Sequence, residues 1–220
     1  YVLKKSVASL LALQNAKNAV GAVGFRTPEF KISDQVYQWS NELGESITYD
    51  IVTKNFKKDS NLFNTITDTT RISASEGEIA GTVISFLSGI GADISDIDKS
   101  KNEAILLKRN GVEFIKADKK TEAQIARINF YQKNLGTIKL QEEEKLLNIY
   151  YPYSDRTTMS FVLSQPKDDL VVHHGVFIHK AVDVNNHSTY PIKSTQAAFN
   201  DLEQGNAFVV KNPNNQQTVE

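Results

Sequence analysis

Leu170-Val171-Val172-His173-His174-Gly175-Val176-Phe177-Ile178-His179-Lys180-Ala181-Val182-Asp183-Val184 is the most β-prone run in the chain and carries three of its four histidines. Val, Ile and Phe fit a pleated, half-buried surface, whereas Asp168-Asp169 before the run and Asn185-Asn186 after it are turn residues that end strands. The run predicts one long central strand, or two short ones broken at Gly175. In an unbroken strand the period of two sends His173, Gly175, Phe177 and His179 to one face and Val172, His174, Val176 and Ile178 to the other. Neither set is cleanly polar, so the strand belongs inside a sheet covered by other elements.

Working outward, residues 157–165 read as a strand that Pro166 breaks. Glu103 to Ala117 places Asn110-Gly111 between apolar runs, the pattern of a tight hairpin whose turn needs positive φ. Residues 46–53 alternate Ile47, Tyr49 and Ile51 with polar neighbours and predict a half-buried strand, and residues 65–73 predict an exposed or edge strand. Ser75 and Glu78 form a capping box ahead of a helix over 76–88, and Thr121 with Gln124 reads as a second one ahead of a helix through Leu135. Further helices are expected over 7–20, 30–43 and 141–150, and in a short segment from Ser194 or Thr195 to Gly205. Residues 54–64 read as a polar loop, with short strands expected over 137–140 and 206–211. The sum is an α+β fold, mainly an antiparallel sheet with interspersed helices, since helices that interrupt the strands irregularly do not make a doubly wound parallel sheet. Three segments are expected: 1–28 as an N-terminal helical arm or docked helix, 29–211 as the α+β domain, and 212–220 as a polar, mobile tail.

Composition narrows the function classes. The chain has 220 residues, 40% of them hydrophobic, enough for a real core. Net charge is −1, with 25 basic and 26 acidic side chains intermixed, so no long-range field favours nucleic acid or an anionic membrane. The absence of cysteine removes disulfides, thiolate metal sites and a cysteine nucleophile together. No apolar run reaches the ~20 residues that span a bilayer. Compartment stays open. A start at Tyr1 and an end at Val219-Glu220 would suit processing during assembly, and a trimmed chain equally.

The residues with chemical potential are few. His173, His174 and His179, with Asp168 or Asp169, are the candidate catalytic groups. His173 and His179 would lie about 20 Å apart on an unbroken strand, too far to share one metal ion, and the adjacent His173 and His174 point to opposite faces. Asp93 to Asp98 resembles an EF-hand loop in composition only, because Lys101 and Leu107 stand where Gly and Glu are required; aspartates capping their own turn are expected instead. Tyr150, Tyr151 and Tyr153 beside Arg156 are the candidate binding group, able to stack on sugar or base rings or to sit at a protein interface. No P-loop, dinucleotide fingerprint or nucleophile elbow occurs, and no cofactor is expected. The expectation is a non-catalytic structural or assembly protein, for example a component of a virus or phage particle or of a multi-subunit apparatus. It would act through contacts with other protein subunits, as a homo-oligomer or larger assembly. The alternatives are a metal-dependent hydrolase built on the histidine run and a small-ligand or glycan-binding module built on the tyrosines.

Overall fold

The structure is a computed structural model that describes residues 2–3, 8–133, 136–139, 146–149, 159–183, 195–206, 209–211 and 217–219. In chain order its elements are β1 (Val2–Leu3), α1 (Ala12–Ala22), β2 (Phe30–Lys31), β3 (Val36–Ser40), β4 (Ser46–Asp50), β5 (Phe56–Asp59), α2 (Leu62–Thr65) and α3 (Glu76–Gly89). They continue with β6 (Glu103–Asn110), β7 (Glu113–Lys116), a 3-10 turn (Lys120–Glu122), β8 (Ile125–Asn129), β9 (Gly136–Lys139), β10 (Leu146–Ile149) and β11 (Met159–Ser164). The last are β12 (Val171–Phe177), β13 (Val182–Asp183), α4 (Thr195–Glu203), β14 (Val209–Lys211) and β15 (Gln217–Val219). The fold is mixed α+β and mainly sheet.

Contacts divide the chain into a large unit, Leu3–Val182, and a small one formed by Tyr1–Val2 with Asp183–Glu220. The large unit is built on a nine-stranded antiparallel sheet in the order β2-β3-β4-β5-β12-β11-β8-β6-β7. The expected central strand is there: β12 lies between β5 and β11. It joins the meander β2 to β5 to the strands made after α3, and α3 lies against β12 and β8.

Burial along β12 follows the period of two for most of its length. His173, Gly175, Phe177 and, just beyond the strand, His179 are buried, whereas Val176 is half-buried and Ile178 exposed. Val172 breaks the pattern for a local reason. The pairing with β11 slips between Val162↔His174 and Leu163↔Val172, a bulge that leaves His173 unpaired and turns Val172 to the core beside Leu163. The second face of β12 is thus not sealed, as His174 keeps 34% of its side chain in solvent.

The hairpin forms with its turn one residue later than an Asn-Gly turn would place it. Asn110 still pairs with Glu113, leaving Gly111-Val112 as the two-residue loop, with Gly111 at φ +64. Positive φ at the first loop residue alone is the II′ geometry, which glycine favours there. The capping box of α3 is complete: Ser75 Oγ accepts from the Glu78 N–H and Glu78 Oε2 accepts from the Ser75 N–H at 2.7 Å.

Elsewhere the local patterns misled. Residues 30–43 are not a helix but β2 and β3, because Tyr37 and Trp39 alternate onto the core. Within 54–64, expected as loop, β5 forms and buries Phe56 and Lys58. The stretch 65–73 is irregular rather than a strand, although Ile66 and Ile72 are buried. The helix after Thr121 is instead the short 3-10 turn followed by β8. Gln124 does not close a capping box: its Oε1 accepts from the Arg109 N–H at 2.6 Å and its Nε2 donates to the Thr67 carbonyl at 2.9 Å, anchoring the strand from both sides. Leu146–Ile149, inside the segment expected as a helix over 141–150, pairs antiparallel with β9, and 141–145 lies outside the described residues. In the small unit α4 forms as expected, and Gln217–Val219, in the stretch expected as a mobile tail, pairs with β14.

Gly175 is required for space. It faces Phe161 directly across the β11–β12 pair, and a Cβ there would sit 2.7 Å from Phe161 Cδ1 and 2.8 Å from Cε1. Phe161 has no exposed surface and packs edge-on against Phe130, so its ring has nowhere cheap to go. Gly175→Ala is expected to destabilise the protein by about 1–3 kcal/mol, with most of the loss recovered when Phe161→Leu is added, as read from urea midpoints of the single and double variants.

Candidate functional site

The three histidines of the run lie in three different environments, each set by its place relative to β12. His173, at the bulge, is 4% exposed; one ring nitrogen, Nε2, is 2.7 Å from Ser164 Oγ, and Ser164 has no exposed surface. Its carbonyl accepts from Lys58 Nζ at 3.3 Å. Lys58 is itself buried and is neutralised by Glu45 Oε1 at 2.8 Å, while the amide of Asn41 donates to Glu45 Oε2 at 2.8 Å. Burial pushes the His173 imidazole below its ordinary value of 6.5; the Lys58 ammonium acts in the same direction and Glu45 opposes it. A serine on an imidazole is the pairing a nucleophile needs. Here the hydroxyl is sealed inside the sheet, so the pair is a buried hydrogen bond with no path for a substrate.

His174 projects from the other side of the strand and bonds Asp59 through Nδ1 at 2.9 Å, with Asp59 also paired to Lys57 at 2.9 Å. Both acidic and imidazole groups are well solvated there, and the link ties neighbouring strands β5 and β12 on their wet face.

His179 makes the densest polar cluster. Its Nε2 lies 2.9 and 3.0 Å from the two carboxylate oxygens of Asp96 on the loop after α3. Gln132 Nε2 donates to Asp96 Oδ2 at 2.9 Å and to the Lys180 carbonyl at 3.1 Å, and the His179 N–H donates to Asn55 Oδ1 at 2.8 Å. The ring stacks on Phe177 with centroids 5.9 Å apart. A carboxylate on an imidazole can orient a general base. With the histidine side chain only 6% exposed, the geometry supplies a clasp that ties the loop after α3 to the end of β12. The rest of that acidic loop behaves as turn-capping aspartates should: Asp93 and Asp98 accept from Ser95 and Ser100, side chain and backbone each. Those bonds hold the Asp93 and Asp98 carboxyls below the usual carboxylate range.

Asp168 and Asp169 line a shallow groove with Glu78, Thr82 and Ser85 of α3, and none of the three histidines lines it. Among the described residues no three His, Asp or Glu side chains converge as a metal site. Tyr150, Tyr151, Tyr153 and Arg156 lie outside the described residues. The partners that define each histidine (Ser164, Lys58, Glu45, Asp96 and Gln132) carry no local motif; only the sheet order brings residues 58 and 173, or 96 and 179, together.

Comparison with protein-family models, with curated proteins and with solved structures finds no match for this chain. Among the described residues no helix is long and apolar enough to cross a membrane.

The His173 environment predicts a pH dependence. In the unfolded chain this imidazole takes a proton near 6.5, whereas the folded site resists it, so its contribution to stability is present above that pH and is lost as the pH falls toward the depressed folded value. Urea midpoints measured from about pH 7.5 to 5.5 should therefore fall less steeply for His173→Gln, whose amide can still bond Ser164, than for the parent chain. Parallel slopes would show that His173 protonates equally in both states.

Proposed function

We propose that this chain is a non-catalytic assembly component that joins protein subunits, including copies of itself, along the open ends of its sheet. The observation that carries the reading is apolar surface at both terminal strands of the nine-stranded sheet. Beside β2, Phe30 and Ile32 are 68% and 52% exposed; at the β7 end, Val112 and Ile115 are 83% and 37% exposed. An open edge offers a row of unpaired backbone N–H and C=O groups to another chain, and large apolar side chains next to it favour pairing over solvation. Soluble monomers usually guard such edges with charge or prolines. Here Lys31 answers Asp34 and Lys116 stands at the end of β7, so each edge is guarded only in part. The near-zero net charge adds no long-range repulsion between copies.

Native mass spectrometry and sedimentation of the untagged chain test this directly. The expected result is a defined oligomer that Phe30→Lys or Ile115→Lys weakens by at least about tenfold in dissociation constant. Circular dichroism should be unchanged, because substitutions at exposed positions shift folding stability by only about 0.5 kcal/mol. A parent chain that stays monomeric at every concentration would sink the proposal.

A further inference from the structure

Helix α1 presents three alanines, Ala12, Ala16 and Ala19, at the i, i+4, i+7 spacing that aligns them on one face. Small side chains there leave a cavity of about 220 Å³ between the helix, the end of β4 with its following turn, and Ile90. An enclosed cavity of about 150 Å³ is enough to take up a benzene ring, so this partly open and partly polar one has room for a single ring with a small substituent.

Its polar side chains are those of Ser9, Asn15, Tyr49 and Lys54. Tyr49, 3% exposed, lines the cavity, and its hydroxyl makes no hydrogen bond among the described residues although it reaches solvent. A hydroxyl in that position can bond a guest in place of water. Burial, with Asp50 next in sequence adding to it, pushes the Tyr49 hydroxyl up to about 12, so it stays a proton donor across the physiological range. Lys54 lines the same cavity. It is exposed, stands at φ +62 in the left-handed region that favours glycine, and its ammonium makes no ion pair among the described residues. The Asp50 carboxylate is engaged within its own turn, accepting from the Val52 and Thr53 N–H groups at 2.8 and 2.9 Å. The cavity therefore offers three neutral polar side chains, Ser9, Asn15 and Tyr49, one cation at Lys54 and a floor of alanines, and no acidic side chain lines it among the described residues.

We propose that this cavity binds a small carboxylate with a single apolar ring or short chain, its acid group held by Tyr49 and Lys54 and its body lying on Ala12, Ala16 and Ala19. The site is independent of the sheet edges. A charge-assisted hydrogen bond from Tyr49 and an ion pair with Lys54 would fix the head group, and the alanine floor would select for size.

Titration of the isotope-labelled full chain with benzoate, and separately with benzyl alcohol as a neutral ring of similar size, tests the assignment by amide and side-chain NMR shifts. Benzoate is expected to produce saturable shifts clustered at Ala16, Tyr49, Lys54 and Gly91. Tyr49→Phe, which removes only the hydroxyl, should weaken it about tenfold. Lys54→Gly suits the positive φ, so the turn survives; it should weaken benzoate while leaving any weaker benzyl alcohol binding unchanged. Ala19→Leu should abolish both by filling the space. The proposal is overturned if benzoate gives no saturable shifts in the parent chain, or if its affinity in Tyr49→Phe and Lys54→Gly equals that in the parent chain. Benzyl alcohol binding as tightly as benzoate would equally overturn the carboxylate assignment. Tyr49→Phe and Lys54→Gly keep the test decisive if Ala19→Leu fails to fold.

Discussion

The large unit depends on one close approach, that of Phe161 to Gly175 at the middle of the sheet. Gly175 is paired on one side with Phe161 of β11 and on the other with Lys58 of β5. It thus sits where the N-terminal meander meets the strands built more than a hundred residues later. The ring of Phe161 fills the space a side chain at 175 would need and extends an aromatic cluster in which Phe56 contacts Phe161 and Phe177. Without that fit β12 could not bring the two halves into one core, and every other buried group owes its place to their junction.

The polar groups flanking the seam are arranged to make the junction single-valued. On one side Lys58, Glu45 and the His173 carbonyl satisfy one another, with the His173 ring on Ser164. On the other, beyond the end of β12, His179, Asp96 and Gln132 do the same. Buried charges contribute little net stability once desolvation is counted, but a slipped register would strand them unpaired at a cost of several kcal/mol. The hydrophobic pattern of β12 specifies its face, while these two clusters specify which residue of β5 and of the loop after α3 it must meet. They also account for why histidines, the side chains that most invite a catalytic reading, occur inside so apolar a run.

What was legible in the sequence follows from how local each signal is. The capping box at Ser75, the hairpin at Asn110-Gly111 and the β-prone run at 170–184 are read within a few residues, and all three are present in the structure. Strand β8 was not legible, because its Ile125 is buried away from the main core while Ala126 and Ile128 are buried within it; apolar residues on both faces mimic the spacing of a helix. Strand β5 was hidden for a different reason. Phe56-Lys57-Lys58-Asp59 is polar by composition, and Lys58 is buried only because Glu45 and residue 173 wait for it across the sheet. The same holds for the histidines: their identities are in the run, but their partners at 96, 132 and 164 are set by loop packing and strand pairing that no local pattern shows.

That division also separates structural from available chemistry. A group spent inside the sheet, such as Ser164 or His179, already has its partner and can give it up only by loosening the seam. Among the described residues, the groups left over include two kinds open to a partner. One is apolar surface left in water at Phe30, Ile32, Val112 and Ile115; the other is the phenol of Tyr49 beside a lysine held at positive φ. Exposed apolar edges are a feature that folding alone does not favour, and a phenol bonded to water alone keeps its donor available to a guest. Binding would use both, the first by covering surface with another chain and the second by giving the hydroxyl an acceptor in place of water, and neither use would loosen the seam as recruiting the histidine strand would.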